Sequence, residues 1–155
     1  MSPNDFISMM LKSAQSVQVK TNIPASFTIA QSAIESAWNA SFLARKAFNL
    51  FGIKANTAWH GQTINMPTYE YLNGKRILIQ VDFRKYSNLE AGLQDHADFL
   101  INNPRYGAKD GKFILIDSCQ FAKNIAKAGY ATDPKYSDKI IEIINFHNLK
   151  QYDTV

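Results

Sequence analysis

Apolar side chains recur every three or four positions along most of the chain, which is the spacing of one buried face of an α-helix. In the first such stretch they include Phe6, Met10 and Val17. Together with residues that mark helix ends, this spacing predicts six helices, at about 4–19, 24–38, 41–48, 87–101, 118–128 and 133–147.

Residues with strong preferences for helix ends mark several of these boundaries. Ser2 or Asn4 is available to cap the first helix, and Pro24 suits the first turn of the second. Ser87 and Glu90 have the spacing of a capping box, in which two side chains satisfy free backbone N–H groups at a helix start. We therefore expect the fourth helix to begin at Ser87.

The pattern changes between residues 57 and 86, where β-branched and aromatic residues dominate. Segments 63–71 and 75–83 flank Asn73-Gly74, a pair that favours a type I′ hairpin turn because both residues tolerate positive φ. Pro67 in the first strand indicates a sheet edge or a bulge. The whole pattern predicts an α+β fold, with a mainly helical lobe and a small β-hairpin lobe.

Composition limits the classes of protein that fit. The 155 residues are 46% hydrophobic, which is enough for one core, so we expect one domain over 1–155. Cys119 is the single cysteine, so no intramolecular disulfide forms. The net charge of +4 suits an anionic partner, but the basic residues are scattered and accompany no nucleic-acid motif, so we expect no nucleic-acid partner.

The sequence also bears on where the protein acts. No apolar run reaches the 18 or more residues of a membrane-spanning helix. The first residues include Asp5 and no basic leader, so we expect no signal peptide and export by a phage, a secretion system or another non-classical route.

Glu35 is the first candidate for chemistry. It lies near the end of the second helix, beside an apolar stripe that includes Phe27, Ile34 and Trp38. Burial against this stripe and the negative end of the helix dipole would both favour the protonated carboxyl. A carboxylic acid that keeps its proton can donate it to a glycosidic oxygen, although most glutamates near helix ends are simply solvated.

Several short strings then follow one another in a fixed order along the chain. Trp59 with Gly61 accompanies AQSAIESAW at 30–38, NLFGIK at 49–54, TYEY at 68–71, FRKYS at 83–87, NPRY at 103–106 and GYATDPKY at 129–136. Over residues 22–147 the chain thereby resembles the glucosaminidase domain of glycoside hydrolase family 73, which includes autolysins, phage lysins and the hydrolase half of flagellar rod-cap proteins. Ala37 and Asn39 depart from the pattern, since that family usually has glycines there.

The resemblance implies a lysozyme-like fold with a cleft between the two lobes. It also implies an endo-β-N-acetylglucosaminidase that cleaves the β-1,4 bond between N-acetylglucosamine and N-acetylmuramic acid, with Glu35 as the general acid. Neither a metal nor an organic cofactor is implied.

The resemblance leaves the second catalytic group open. Glu70 matches the family's proposed base, and a separation of about 6.5–9.5 Å from Glu35 would leave room for the water of an inverting mechanism. A separation of about 5–5.5 Å would instead suit a retaining nucleophile. In a third route the substrate's own 2-acetamido group attacks, and Tyr130 steadies that group or the developing positive charge.

Other residues in the resemblance are candidates for binding sugar. Trp38, Phe51, Trp59, Tyr69 and Tyr106 are aromatic residues suited to stacking on sugar faces, although Trp38 also continues a helix stripe that belongs in a core. Asn49 either bonds an acetamido group or caps its own loop. The histidines show no metal-ligand spacing.

Alternatives remain at this point. A muramidase or lytic transglycosylase would share the fold and cut the other linkage, and a non-catalytic wall-binding module would bind without cutting. We expect a monomer that acts on peptidoglycan glycan strands in the periplasm or cell wall, as a lysin, an autolysin or an antibacterial toxin. A toxin would require a dedicated inhibitor or immunity protein as partner.

Overall fold

A computed structural model describes residues 1–153 of the chain. It confirms an α+β arrangement of helices interrupted once by a two-stranded hairpin. The elements are α1 (Pro3–Thr21), α2 (Ala25–Ser36), α3 (Phe42–Ala47), β1 (Gln62–Leu72), β2 (Lys75–Lys85), α4 (Leu89–Asn102), α5 (Ser118–Lys127) and α6 (Tyr136–Phe146). Two 3₁₀ segments, Pro104–Tyr106 and Leu149–Tyr152, follow α4 and α6. Among residues 1–153, no helix combines the length and apolar character that crossing a membrane requires.

The central element of the helical lobe is α2, which packs against α1, α5 and α6. Every residue from Ala25 to Ala33 is buried, including polar residues such as Gln31. The prediction that only one side of this helix is buried is therefore wrong. A helix surrounded by other helices buries its whole circumference. The predicted continuation to Trp38 is also wrong, since α2 ends at Ser36.

Tertiary contacts decide which residues cap the helices. Ser2, one of the two predicted candidates, caps α1 by accepting the backbone N–H of Asp5 at 3.1 Å. Pro24 precedes α2 and provides no side-chain cap, and the carboxylate of Asp153 accepts the backbone N–H of Ser26 at 2.7 Å instead. A distant segment thus satisfies a donor at the start of the central helix.

The predicted capping box of α4 is wrong. Asn88 caps this helix by accepting the backbone N–H of Ala91 at 2.8 Å, one residue later than predicted. The Glu90 carboxylate turns to α1, where it accepts from the Ser16 hydroxyl at 2.7 Å and pairs with Lys20 at 3.4 Å. A helix-to-helix contact therefore replaces the local one.

The hairpin matches its prediction closely. Its strands pair in unbroken antiparallel register from Gln62 opposite Lys85 to Leu72 opposite Lys75. Both turn residues, Asn73 and Gly74, have positive φ values, 52° and 76°, as a type I′ turn requires. Pro67 faces Gln80 without an inserted residue, so it lies on a strand edge and not in a bulge.

One face of the hairpin is partly covered and the other is open. Ile64, Met66, Thr68 and Glu70 alternate along β1 as half-buried residues, whereas Tyr69 between them is exposed. Thr68 and Glu70 thus share a face, as expected from the two-residue period of a strand.

Candidate active site

A cavity of about 530 Å³ opens where the end of α2 meets α4 and the loop between α5 and α6. Its walls are mostly aromatic or apolar, with a few polar groups, which is the usual character of a small-molecule site. The lining residues are Glu35, Phe51, Ile53, His96, Phe99, Arg105, Tyr106, Tyr130, Ala131 and Thr132.

Glu35 is exposed at this cavity, one residue before the end of α2. The expectation that it packs against the helix's apolar stripe is wrong. Phe27 packs against Phe121, with ring centroids 4.7 Å apart, and Trp38 packs against Phe6 at 5.4 Å. The apolar stripe thus faces the core, and the carboxyl group of Glu35 faces the cavity.

A short chain of hydrogen bonds holds the Glu35 carboxyl group. The Tyr136 hydroxyl donates to Glu35 Oε1 at 2.6 Å, and the Gln31 side chain donates to the Tyr136 oxygen at 3.1 Å. Burial raises the pKa of Tyr136 above its ordinary value, and the hydrogen bond to Glu35 raises it further. Tyr136 therefore stays protonated and acts as a donor, which fixes Oε1 and leaves Oε2 free to meet a ligand.

A left-handed turn directly after α2 sets the position of Glu35 at the cavity. Ala37, Trp38 and Asn39 have φ values of 49°, 56° and 69°, a run of three non-glycine residues in a region that disfavours side chains. The Ser36 hydroxyl accepts the backbone N–H of Asn39 at 3.0 Å and holds this turn. The helix consequently ends at Ser36, and the Trp38 ring turns toward the core and packs against it.

Tyr130 and His96 form the polar part of the opposite wall. The Tyr130 oxygen lies 2.8 Å from His96 Nε2, and the Tyr130 ring stacks on Tyr136 with centroids 5.5 Å apart. Burial lowers the pKa of His96 to about 3, so its ring is neutral at neutral pH. Burial also raises the pKa of Tyr130, and the negative charge of Glu35 adds to that effect. Tyr130 thus keeps its proton and can donate a hydrogen bond to the neutral imidazole.

Glu70 lies on the hairpin, outside the residues that line the cavity. One of its carboxylate oxygens pairs with the Lys54 ammonium group at 2.6 Å. Lys54 immediately follows Ile53, which does line the cavity. Glu70 is therefore engaged in an ion pair with the neighbour of a lining residue and is not itself part of the lining.

A protein-family model described as mannosyl-glycoprotein endo-beta-N-acetylglucosaminidase matches residues 11–149. The chain belongs to the glucosaminidase family. The resemblance to glycoside hydrolase family 73 is thereby confirmed, and with it the assignment to the glycoside hydrolases.

Individual relatives of this glucosaminidase agree with the family. The exo-glucosaminidase LytG of Bacillus subtilis is 39% identical over 152 residues, which cover 97% of this chain and 53% of LytG. The peptidoglycan hydrolase FlgJ of Pseudomonas aeruginosa is 35% identical over 146 residues, which cover 92% of this chain and 36% of FlgJ. The chain thus spans about half the length of LytG and about a third of FlgJ.

Solved structures of glucosaminidase relatives share the fold. The catalytic domain of the autolysin Auto from Listeria monocytogenes superposes with a TM-score of 0.85 at 32% identity, over 97% of this chain and 87% of that one. The glycoside hydrolase domain of FlgJ from Salmonella typhimurium, truncated at its C-terminus, gives a TM-score of 0.77 at 30% identity, over 96% of this chain and 99% of that one. The expected lysozyme-like fold is confirmed.

The structure brings some of the predicted sugar-binding residues of the glucosaminidase together. Phe51 and Tyr106 line the cavity with Glu35 and Tyr130. The Phe51 ring is stacked on His96, with centroids 3.6 Å apart, and Tyr106 is buried next to Tyr130. These aromatic groups form one continuous wall facing the acid.

The remaining predicted residues lie elsewhere. The Asn49 side chain is buried and bonds the backbone of Ile53 and the carbonyl of Arg84, so it holds the loop at the hairpin base. Trp38 is partly buried and packs against the core, whereas Trp59 borders a separate cavity and Tyr69 lies on the outer face of the hairpin.

Three residues of the glucosaminidase site lacked a role in the sequence analysis, namely Gln31, Tyr136 and Arg105. Gln31 stands four residues before Glu35, a spacing that puts both on one side of a helix and was available as a signal. Tyr136 is 101 positions from Glu35, so only the fold shows their contact. Within the described residues 1–153, no group of three or more histidine, cysteine or acidic side chains is arranged to hold a metal ion.

Proposed function

We propose that the chain is a single catalytic domain that hydrolyses peptidoglycan as an endo-β-N-acetylglucosaminidase. Glu35 is its general acid, and the bond cleaved is the β-1,4 linkage between N-acetylglucosamine and N-acetylmuramic acid. The observation that carries this proposal is a carboxyl group, held by Tyr136, that opens into a cavity walled by aromatic residues. The name of FlgJ, a peptidoglycan hydrolase, supports the substrate, and the name of LytG, an exo-glucosaminidase, supports the glucosaminidase reaction. The endo mode of cleavage is supported by the description of the family model.

The first chemical step needs one proton. Because Tyr136 donates to Oε1 of Glu35, Oε2 is the oxygen that delivers the proton, which passes to the glycosidic oxygen as the bond between that oxygen and C1 breaks. The sugar then carries positive charge at C1 and its ring oxygen. A water molecule completes the hydrolysis, and its proton returns to Glu35.

We infer that the 2-acetamido group of the substrate is the nucleophile. Its oxygen attacks C1 while its N–H donates to the Tyr130 oxygen. Tyr130 can accept this bond because its own hydrogen points to the neutral His96 ring, 2.8 Å away. Glu35 is also the one carboxyl group among the residues that line the cavity, which is enough for this route.

The alternative uses Glu70 as the base that activates water. It is favoured by the position of Glu70 on the half-buried face of the hairpin and by its ion pair with Lys54, which follows the lining residue Ile53. In the structure one oxygen of Glu70 is engaged by Lys54, and Glu70 is not among the residues that line the cavity. We rank this route second because substrate assistance uses only groups that line the cavity.

The proposed substrate determines where the protein would act. Hydrolysis of glycan strands takes place in the periplasm or cell wall, where the chain would serve as a lysin, an autolysin or a delivered toxin. If it is a toxin, an inhibitor protein in the producing cell would occupy the cavity around Glu35.

Analysis of the products tests the bond that is cut. Purified sacculi are digested with wild-type protein or Glu35→Gln, reduced with borohydride and examined by mass spectrometry. Reduced N-acetylglucosamine ends, found on internal fragments and absent with Glu35→Gln, are expected. Reduced N-acetylmuramic acid ends indicate a muramidase, and anhydro ends indicate a lytic transglycosylase. Binding to sacculi without release of soluble glycan would favour a wall-binding module.

A further inference from the structure

We propose that Arg105 recognises a carboxylate carried by the glycan strand, and so makes the site selective for acidic peptidoglycan over neutral polymers of N-acetylglucosamine. This inference rests on the proposed function, because it concerns the substrate of the same cavity. It adds a specificity-determining residue to the acid and the aromatic wall.

The lining of the cavity carries two charged side chains of opposite sign. Glu35 and Arg105 are its charged lining side chains, since His96 is neutral near neutral pH. Within residues 1–153, neither Glu35 nor Arg105 takes part in a salt bridge. Glu35 has a use in the proposed reaction, whereas the positive charge of Arg105 has no counterpart in a neutral sugar.

Neighbouring residues hold the guanidinium group of Arg105 in place. Arg105 lies in the 3₁₀ segment that starts at Pro104, and its guanidinium carbon lies 4.8 Å from the centre of the Tyr106 ring. Its Nη1 is 3.7 Å from the place where a side chain at Gly129 would begin, an ordinary contact distance, so the guanidinium group lies beside the loop that carries Tyr130. Cation–π contact with a buried ring restricts the guanidinium group before any ligand arrives.

A comparison with Arg84 shows what is distinctive about Arg105. The Arg84 guanidinium pairs with Asp95 at 2.8 Å and is part of the hairpin base. Arg105 instead lines the cavity. The parallel N–H donors of its planar guanidinium group match the two oxygens of a carboxylate. The geometry therefore fits a carboxylate as the missing partner.

A glycan strand supplies carboxylates from two sources. One is the lactyl group of N-acetylmuramic acid, which is ionised where the stem peptide has been removed. The other is the stem peptide itself, whose acidic side chains and C-terminus are ionised at neutral pH. Both present the same chemistry to Arg105, and separate ligands distinguish them.

Binding is measured by calorimetry in an inactive Glu35→Gln background, so that no ligand is cleaved. Arg105→Gln is compared with the parent and with Lys109→Gln, which removes an exposed charge outside the cavity. The ligands are a neutral chito-oligosaccharide, a glycan oligosaccharide with free lactyl carboxylates, and the same oligosaccharide with stem peptides.

Arg105→Gln should weaken binding of at least one acidic ligand by about 5- to 10-fold, as expected for one charge-assisted contact that is partly solvated. The neutral ligand should bind unchanged, and Lys109→Gln should match the parent. The acidic ligand that responds identifies the source of the carboxylate. An equal loss on the neutral ligand, or no loss on either acidic ligand, would overturn the proposal.

Cleavage of glycan by wild-type protein, measured alongside these titrations, separates this inference from the proposed function. If wild-type protein cleaves no glycan but Arg105 still discriminates acidic from neutral ligands, the proposed hydrolysis fails and the recognition stands. If glycan is cleaved normally and Arg105→Gln binds every ligand like its parent, the recognition fails alone.

Discussion

Lowering the pH from 7.5 to 5.0 should destabilise the fold through one buried side chain, His96. Its ring is 5% exposed, is stacked on Phe51 at 3.6 Å and lies 2.8 Å from the Tyr130 oxygen. Burial lowers its pKa to about 3, whereas the pKa of a histidine in an unfolded chain is about 6.5. Between these values the unfolded chain binds a proton that the folded protein does not.

The sign and size of the effect follow from this difference. The contribution is fully present above about pH 6.5 and is lost as the pH falls toward 3, by about 1.4 kcal/mol per pH unit. At pH 5.0 the free energy of unfolding should be lower than at pH 7.5 by about 2 kcal/mol from His96 alone. For a domain of this size that amounts to a Tm about 4–8 °C lower.

The assay is urea unfolding at both pH values and at constant ionic strength, for wild type and His96→Gln. Other groups titrate in both proteins, so the difference between their pH-dependent losses isolates His96. Wild type should lose about 2 kcal/mol more than the variant. Equal losses would refute the conclusion that His96 is neutral in the folded protein, whatever the variant's own stability.

Two further substitutions test the surroundings of Glu35. Ala37→Gly removes a side chain at φ 49° and should raise the free energy of unfolding by about 0.5–1 kcal/mol, because the strain relieved exceeds the added chain entropy; calorimetry that shows no increase in Tm would contradict this. Tyr136→Phe removes the donor to Glu35 and leaves Gln31 without its partner. The free energy of unfolding should therefore fall by about 1–3 kcal/mol, and kcat should fall about 10-fold. A variant with wild-type kcat would show that this hydrogen bond does not position the acid.

Features that depend on neighbouring residues in the sequence were predictable. The alternation along β1 and the Asn73-Gly74 pair determine the hairpin, and its type I′ turn was found as expected. Ser2 acts within its own helix start, so its cap was predictable too. Glu35 was reached because it lies in a string typical of the glucosaminidase family.

Features that depend on distant contacts were not predictable. Glu90 had the spacing of a capping box, but an ion pair with Lys20 of another helix competes for its carboxylate. Trp38 continued a helical period, but the left-handed turn after Ser36 ends the helix before it. The contact of Tyr136 with the acid joins the two ends of the domain, and no local pattern encodes it.

The central claim is that Glu35 is the general acid and that Glu70 is not required. The direct measurement is the initial rate at which purified sacculi lose turbidity. Wild type, Glu35→Gln and Glu70→Gln are compared at equal concentration, and matching Tm values show that the three proteins are equally stable. Glu35→Gln should be slower by about 10²–10⁴-fold, the contribution of a positioned acid, and Glu70→Gln should keep most of the wild-type rate. Clearing by Glu35→Gln at a rate near that of wild type would contradict the account, and an equally large loss in Glu70→Gln would replace substrate assistance with a two-carboxylate mechanism.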